Sequence, residues 1–97
     1  MRTVSRYRTV DTLWRNTIMV LENYTCAISG AKADDAHHIF SKQAWPHLRW
    51  LRCNGIVLSR GKHRWAHDNP AAFKAWLKVA RPLQWKELES AKRGEKP

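Results

Sequence analysis

Between Asp34 and His67 the chain reads DDAHHIFSKQAWPHLRWLRCNGIVLSRGKHRWAH, and four of the protein's five histidines stand in it as two tight groups. His37 and His38 are adjacent on a segment, Ala36 to Phe40, that reads as a strand, where neighbouring side chains point to opposite sides. His63 and His67 are four residues apart, which puts both imidazoles on one face of a helix predicted from about Lys62, after Gly61, to His67. Between the groups, Asn54-Gly55 reads as a turn and Ile56, Val57 and Leu58 as a second strand. A fold that closes this turn brings imidazoles from a strand and a helix together, and that is metal-site spacing. His47 belongs to neither group and is read as a structural or surface residue.

Charge narrows the partner. Lys and Arg number 18 against 8 acidic residues, a net charge of +10. Between Ala36 and His67 stand Lys42, Arg49, Arg52, Arg60, Lys62 and Arg64 with no Asp or Glu. Such a run is either a solvated cationic face or a phosphate-binding surface around the histidines, and the overall excess favours a polyanion, most often nucleic acid. No apolar stretch has the length of a membrane span and the amino terminus lacks the apolar core of a signal peptide, so a cytoplasmic location is expected. In that compartment Cys26 and Cys53 are expected as reduced thiols.

The rest of the chain reads as scaffolding in one domain, residues 1–97. Met1 to Thr9, with Arg2, Arg6 and Arg8, reads as a loose basic arm. Asp11 is a plausible N-cap for a helix to about Asn23 with Leu13, Trp14, Ile18 and Leu21 inward. Ser41 to Cys53 is a long connection whose Trp45, Leu48 and Trp50 are expected to tuck beneath the histidines. Asn69-Pro70 opens a helix with Phe73, Trp76, Leu77 and Ala80 on one stripe. Pro82 opens a last one, to about residue 93, with Leu83, Leu88 and Ala91 inward, and Lys92 to Pro97 reads as a polar tail.

The ordered set His37-His38, Asn54, His63 and His67 resembles the HNH nuclease motif, and the ending His63-x-x-x-His67 resembles the colicin nucleases in particular. The resemblance implies an α+β fold, a ββα-metal (His-Me finger) unit surrounded by helices. It further implies a metal-dependent endonuclease that nicks or cleaves DNA to leave 5′-phosphate and 3′-hydroxyl ends. His37, His63 and His67 would hold one divalent ion (Mg, Mn, Ni or Zn), three neutral imidazoles favouring a softer ion than Mg. His38 would be the general base, and Asn54 would lock the loop that aligns it. Asp35 stands like the acidic residue before the colicin histidine pair, either orienting a ligand or simply solvated. Arg49, Arg52, Arg60 and Arg64 are candidates for clamping DNA phosphates. Tyr24 to Gly30 is similar to the zinc knuckle of many HNH proteins, but with Ser29, Ser59 and Lys62 at three of its four thiolate positions only Cys26 remains, so no structural zinc is expected. Small proteins of this kind point to a bacteriophage source and the host cytoplasm. One such site attacks one strand, so a double-strand cut needs a homodimer or two nicks. The competing readings are a non-catalytic nucleic-acid-binding module that keeps the fold, and a closed four-histidine structural zinc site.

Overall fold

The computed structural model describes residues 3–94. Helix α1 spans Thr3–Leu21. The expected loose arm is therefore helical from Thr3 onward, while Met1 and Arg2 lie outside the described residues. Asp11 does not cap this helix. It lies mid-helix, where its carboxylate accepts hydrogen bonds from Arg49 (2.9 and 2.6 Å) and from Trp50 Nε1 (2.8 Å). A long-range partner has overridden a local capping preference. Trp14, Ile18 and Met19 form the buried face of α1, whereas Leu13 (61% exposed) and Leu21 (58%) point to solvent, against expectation.

Two short strands pair antiparallel, β1 (Asp35–His38) and β2 (Gly55–Leu58), with Ala36 opposite Val57 and His37 opposite Ile56. Every residue of β2 is buried, as its unbroken apolar run suggests for a strand covered on both faces. No tight turn joins the strands. Residues 39–54 connect them through two single-turn 3-10 helices, Pro46–Leu48 and Arg52–Asn54. Gly55 is not a turn residue but the extended start of β2 (φ −119°, ψ 146°). Its missing side chain matters for packing, because a Cβ there would approach Ile18 and Trp14 to between 2.6 and 2.8 Å. The first strand also ends two residues early. Ile39 and Phe40 bend into the core, both 7% exposed or less.

Helix α2 (Arg60–Asp68) starts at Ser59, whose Oγ accepts the Lys62 amide at 3.4 Å. Gly61 lies inside the helix with open space around it, so the serine cap and not the glycine sets the entry. Helices α3 (Pro70–Ala80) and α4 (Pro82–Lys92) begin at the prolines that announced them. Asn69 is the N-cap residue of α3, as expected, but its side chain serves the end of α2 instead, donating Nδ2 to the Trp65 carbonyl at 3.0 Å. Phe73, Leu77 and Leu88 enter the core; Leu83, expected inward, is 82% exposed. Trp50 is likewise displaced from the core to the surface, where it serves Asp11.

Two polar ties orient the last helix. Arg81 pairs with Glu22 at 2.6 Å, and Gln84 Nε2 donates to the carbonyls of Cys53 and Gly55 at 3.0 and 2.9 Å. The result is a small α+β domain, four helices around a two-stranded antiparallel sheet. Among the described residues no helix is long and apolar enough to cross a membrane.

Candidate functional site

Strand alternation divides the histidine pair. Asp35 and His37 point to one face of β1, towards α2. The His37 ring meets the His63 ring edge-on, centres 4.6 Å apart at 70°, and packs against Phe73 at 5.5 Å. Asp35 Oδ2 stands 3.6 Å from His63 Nδ1, too long for a hydrogen bond. Burial, reinforced by the neighbouring His63, His38 and His67, pushes the His37 pKa down to about 4. A desolvated imidazole is thereby kept neutral, the form in which histidine binds a metal.

His38 points the other way, onto α1. Its ring lies flat on the Trp14 indole, and its Nε2 is 2.9 Å from the Arg49 carbonyl oxygen. A carbonyl only accepts, so Nε2 carries the hydrogen and, in the neutral ring, Nδ1 keeps the free lone pair. Burial lowers the pKa of His38, opposed in part by that carbonyl.

The loop that presents the carbonyl is built on Asn54, which is fully buried. Its Oδ1 accepts the Phe40 amide at 2.8 Å, and its Nδ2 donates to the carbonyls of Phe40 and Leu48 at 3.0 and 3.1 Å. The asparagine side chain thus ties the start of the connection, at Phe40, to its middle, at Leu48.

His67 follows His63 by one helical turn but is 81% exposed, with Nδ1 3.8 Å from its neighbour Asp68. It joins His37 and His38 in lining a cleft of about 310 Å³, closed on other sides by Phe40, Phe73 and Lys74. Among the described residues no three His, Cys, Asp or Glu side chains converge as a ready metal cage. The donors nonetheless suit a divalent ion: His37 is held neutral, His63 is in contact with it, and His67 lies on the same cleft with its ring unhindered.

The arginines separate into different roles. Arg49 is occupied by Asp11 and is not a free phosphate clamp. Arg52 lines another groove, with His47, Lys86 and Glu87, away from the histidine cleft. Arg60 and Arg64 stay exposed on α2. Lys74, which no motif position marks, borders the cleft with its ammonium 5.0 Å above the Phe40 ring. Asp11 and Trp14 also escaped the motif, being far from it along the chain with no local pattern to flag them. Lys74 at least carried a signal, one helical turn beyond Pro70 on the helix that follows the motif.

The knuckle region closes without a set of thiolates. Thr25 bridges to Lys32, Gly30 takes φ 78°, and the Ser29 amide donates to Cys26 Sγ at 3.4 Å. Burial raises the Cys26 pKa, but hydroxyls and amides of Ser29 and Ser59 outweigh it and bring the thiol to about 6. Cys26 thus lies among the hydroxyls of Ser29 and Ser59, and the Ser59 hydroxyl in turn accepts the Lys62 amide.

No family model matches the chain, and neither a curated protein nor a solved structure does.

Proposed function

We propose that this protein is a metal-dependent endonuclease of the HNH type, its β1, β2 and α2 acting as a ββα-metal unit that hydrolyses DNA phosphodiester bonds. One observation carries the reading: two adjacent histidines have separate environments, His37 against His63 and His38 anchored through Nε2 to a loop carbonyl. On this reading the first is a metal ligand and the second the base.

His37 and His63 would hold the ion, and rotation of the exposed His67 side chain would add the third imidazole and leave positions open for phosphate oxygens. An ion held there would supply Lewis-acid charge to the phosphate and its leaving oxygen. His38 takes a proton from water through Nδ1, its ring held by Trp14 and by the Arg49 carbonyl. Lys74 at the cleft and Arg60 and Arg64 on α2 bind the flanking phosphates. These contacts go to backbone, so binding weakens steeply with salt and discriminates little among sequences.

The test is conversion of supercoiled plasmid by metal-stripped protein, wild type beside His38→Ala, with Mg, Mn, Ni and Zn restored separately. The expected result is conversion to open-circle or linear DNA by wild type alone. Undiminished cleavage by His38→Ala would sink the mechanism. The exposure of His67 favours one second reading, a nucleic-acid-binding module without activity, and retained DNA binding with no conversion under any ion would select it.

A further inference from the structure

Helix α1 grips the 39–54 connection at two points. Asp11 holds the Arg49 side chain through both carboxylate oxygens, and Trp14, three residues along the same helix face, donates Nε1 to the Leu51 carbonyl at 2.8 Å. Between these grips lies the Arg49 carbonyl that receives His38 Nε2. The other bonds of the connection there fall to either side of that carbonyl: the Arg49 and Leu51 amides make backbone bonds of 3.2 and 3.3 Å, and Asn54 donates its Nδ2 to the Leu48 carbonyl and its amide to the Leu51 carbonyl, both at 3.1 Å.

The Asp11–Arg49 pair is also more elaborate than an ordinary surface ion pair. The guanidinium is flanked by the rings of Tyr7 and Trp50, each 5.5 Å from its central carbon. Trp50 Nε1 adds a third hydrogen bond to the carboxylate. Arg49 and Asp11 are only 26% and 30% exposed. A bidentate fork fixes direction as well as distance, which a lysine could not do.

We infer that Asp11 is a positioning residue for the proton-accepting histidine: by fixing Arg49 it holds the carbonyl that keeps His38 in one tautomer and one orientation. This rests on the nuclease reading for its catalytic consequence, though not for the tether itself. Released, the carbonyl can move by a fraction of an ångström, the bond to Nε2 weakens, and the ring samples the tautomer whose Nδ1 carries hydrogen and cannot accept a proton.

The experiment compares wild type, Asp11→Asn, Asp11→Glu and Arg49→Lys. Nitrogen NMR of the ¹⁵N-histidine-labelled, metal-free chain at pH 8 reads the His38 tautomer, and plasmid cleavage reads kcat and KM. Wild type should show one tautomer, hydrogen on Nε2. Asp11→Asn and Arg49→Lys should show both tautomers and a kcat lower by about tenfold, with KM for DNA and metal affinity unchanged. Asp11→Glu, which keeps the carboxylate, should recover most of both. If either Asp11→Asn or Arg49→Lys folds and leaves the His38 nitrogen shifts at their wild-type values, the tether is refuted. A kcat within twofold of wild type despite a mixed tautomer would refute the positioning role. Wild type that cleaves nothing with any ion would remove the nuclease reading and with it this role, while the NMR comparison would still decide the tether.

Discussion

The indole of Trp14 lies flat against the imidazole of His38, ring centres 4.0 Å apart and planes 8° from parallel. A helix remote in sequence from the histidine motif thereby forms one wall of it. Trp14→Phe keeps an aromatic face but loses the bond to the Leu51 carbonyl, at an expected cost of about 1–2 kcal/mol. Trp14→Ala empties the wall and should cost about 3–5 kcal/mol. Urea denaturation measures both, and equal costs would mean that the ring contact contributes nothing.

Asn54→Ala strands the amide and carbonyl of Phe40 inside the protein and leaves the Leu48 carbonyl only its 3.3 Å bond from the Leu51 amide. Leaving buried groups unpaired costs about 1–3 kcal/mol each at the donor end, so a total near 3 kcal/mol is expected. Asn54→Asp should be no kinder, since it replaces the donating amide with a charge facing the carbonyls of Phe40 and Leu48. Thermal melts of the two variants beside wild type decide this, and a loss below about 0.5 kcal/mol for Asn54→Ala would contradict the role assigned to its hydrogen bonds.

Acid should destabilise the metal-free protein through His37. Its folded pKa is about 4 against an ordinary 6.5. Above pH 6.5 the ring is neutral in both states and contributes no pH dependence. As pH falls from 6.5 to 4 the unfolded chain takes up a proton that the folded one refuses, so stability declines, by about 1–3 kcal/mol, and the effect levels off below pH 4. His37→Asn should flatten that part of the profile in denaturant titrations from pH 8 to pH 4. An unchanged slope would assign it to other groups.

The gathered knuckle invites a metal to be built into it. Ser29→Cys, Ser59→Cys and Lys62→Cys together with Cys26 should create a tetrahedral thiolate site that takes up one zinc ion and raises the melting temperature. Cobalt substitution gives an optical readout of thiolate coordination. Failure to bind zinc at one equivalent would mean that side chains at these four positions do not converge on one ion.

Where the sequence could be read, local chemistry decided the outcome. Pro70 and Pro82 start helices because proline suits a helix's first turn wherever it stands, and Ile56-Val57-Leu58 had no use except as a buried strand. The opposite faces of His37 and His38 followed from strand geometry alone. The failures share a physical cause, a partner distant in the chain. Asp11 looked like a cap because serine-like and acidic side chains cap helices, but Arg49 and Trp50 claim it. Arg49 looked like a phosphate ligand for the same reason in reverse. Asn54-Gly55 looked like a hairpin turn, whereas the glycine serves α1; only the resemblance, not the dipeptide, pointed to the loop bonds of Asn54. No periodicity encodes contacts of that range.

Gly55 acts as a spacer of zero thickness between α1 and the sheet. Because its hydrogen faces Ile18 and Trp14 where any methyl would collide, the helix seats at the closest approach the backbone allows. The standoff of Trp14 from His38 is therefore gauged at a residue outside the histidine group. A single carbon added there would act as a shim, lifting Trp14 off the sheet while every histidine stayed in place along the chain.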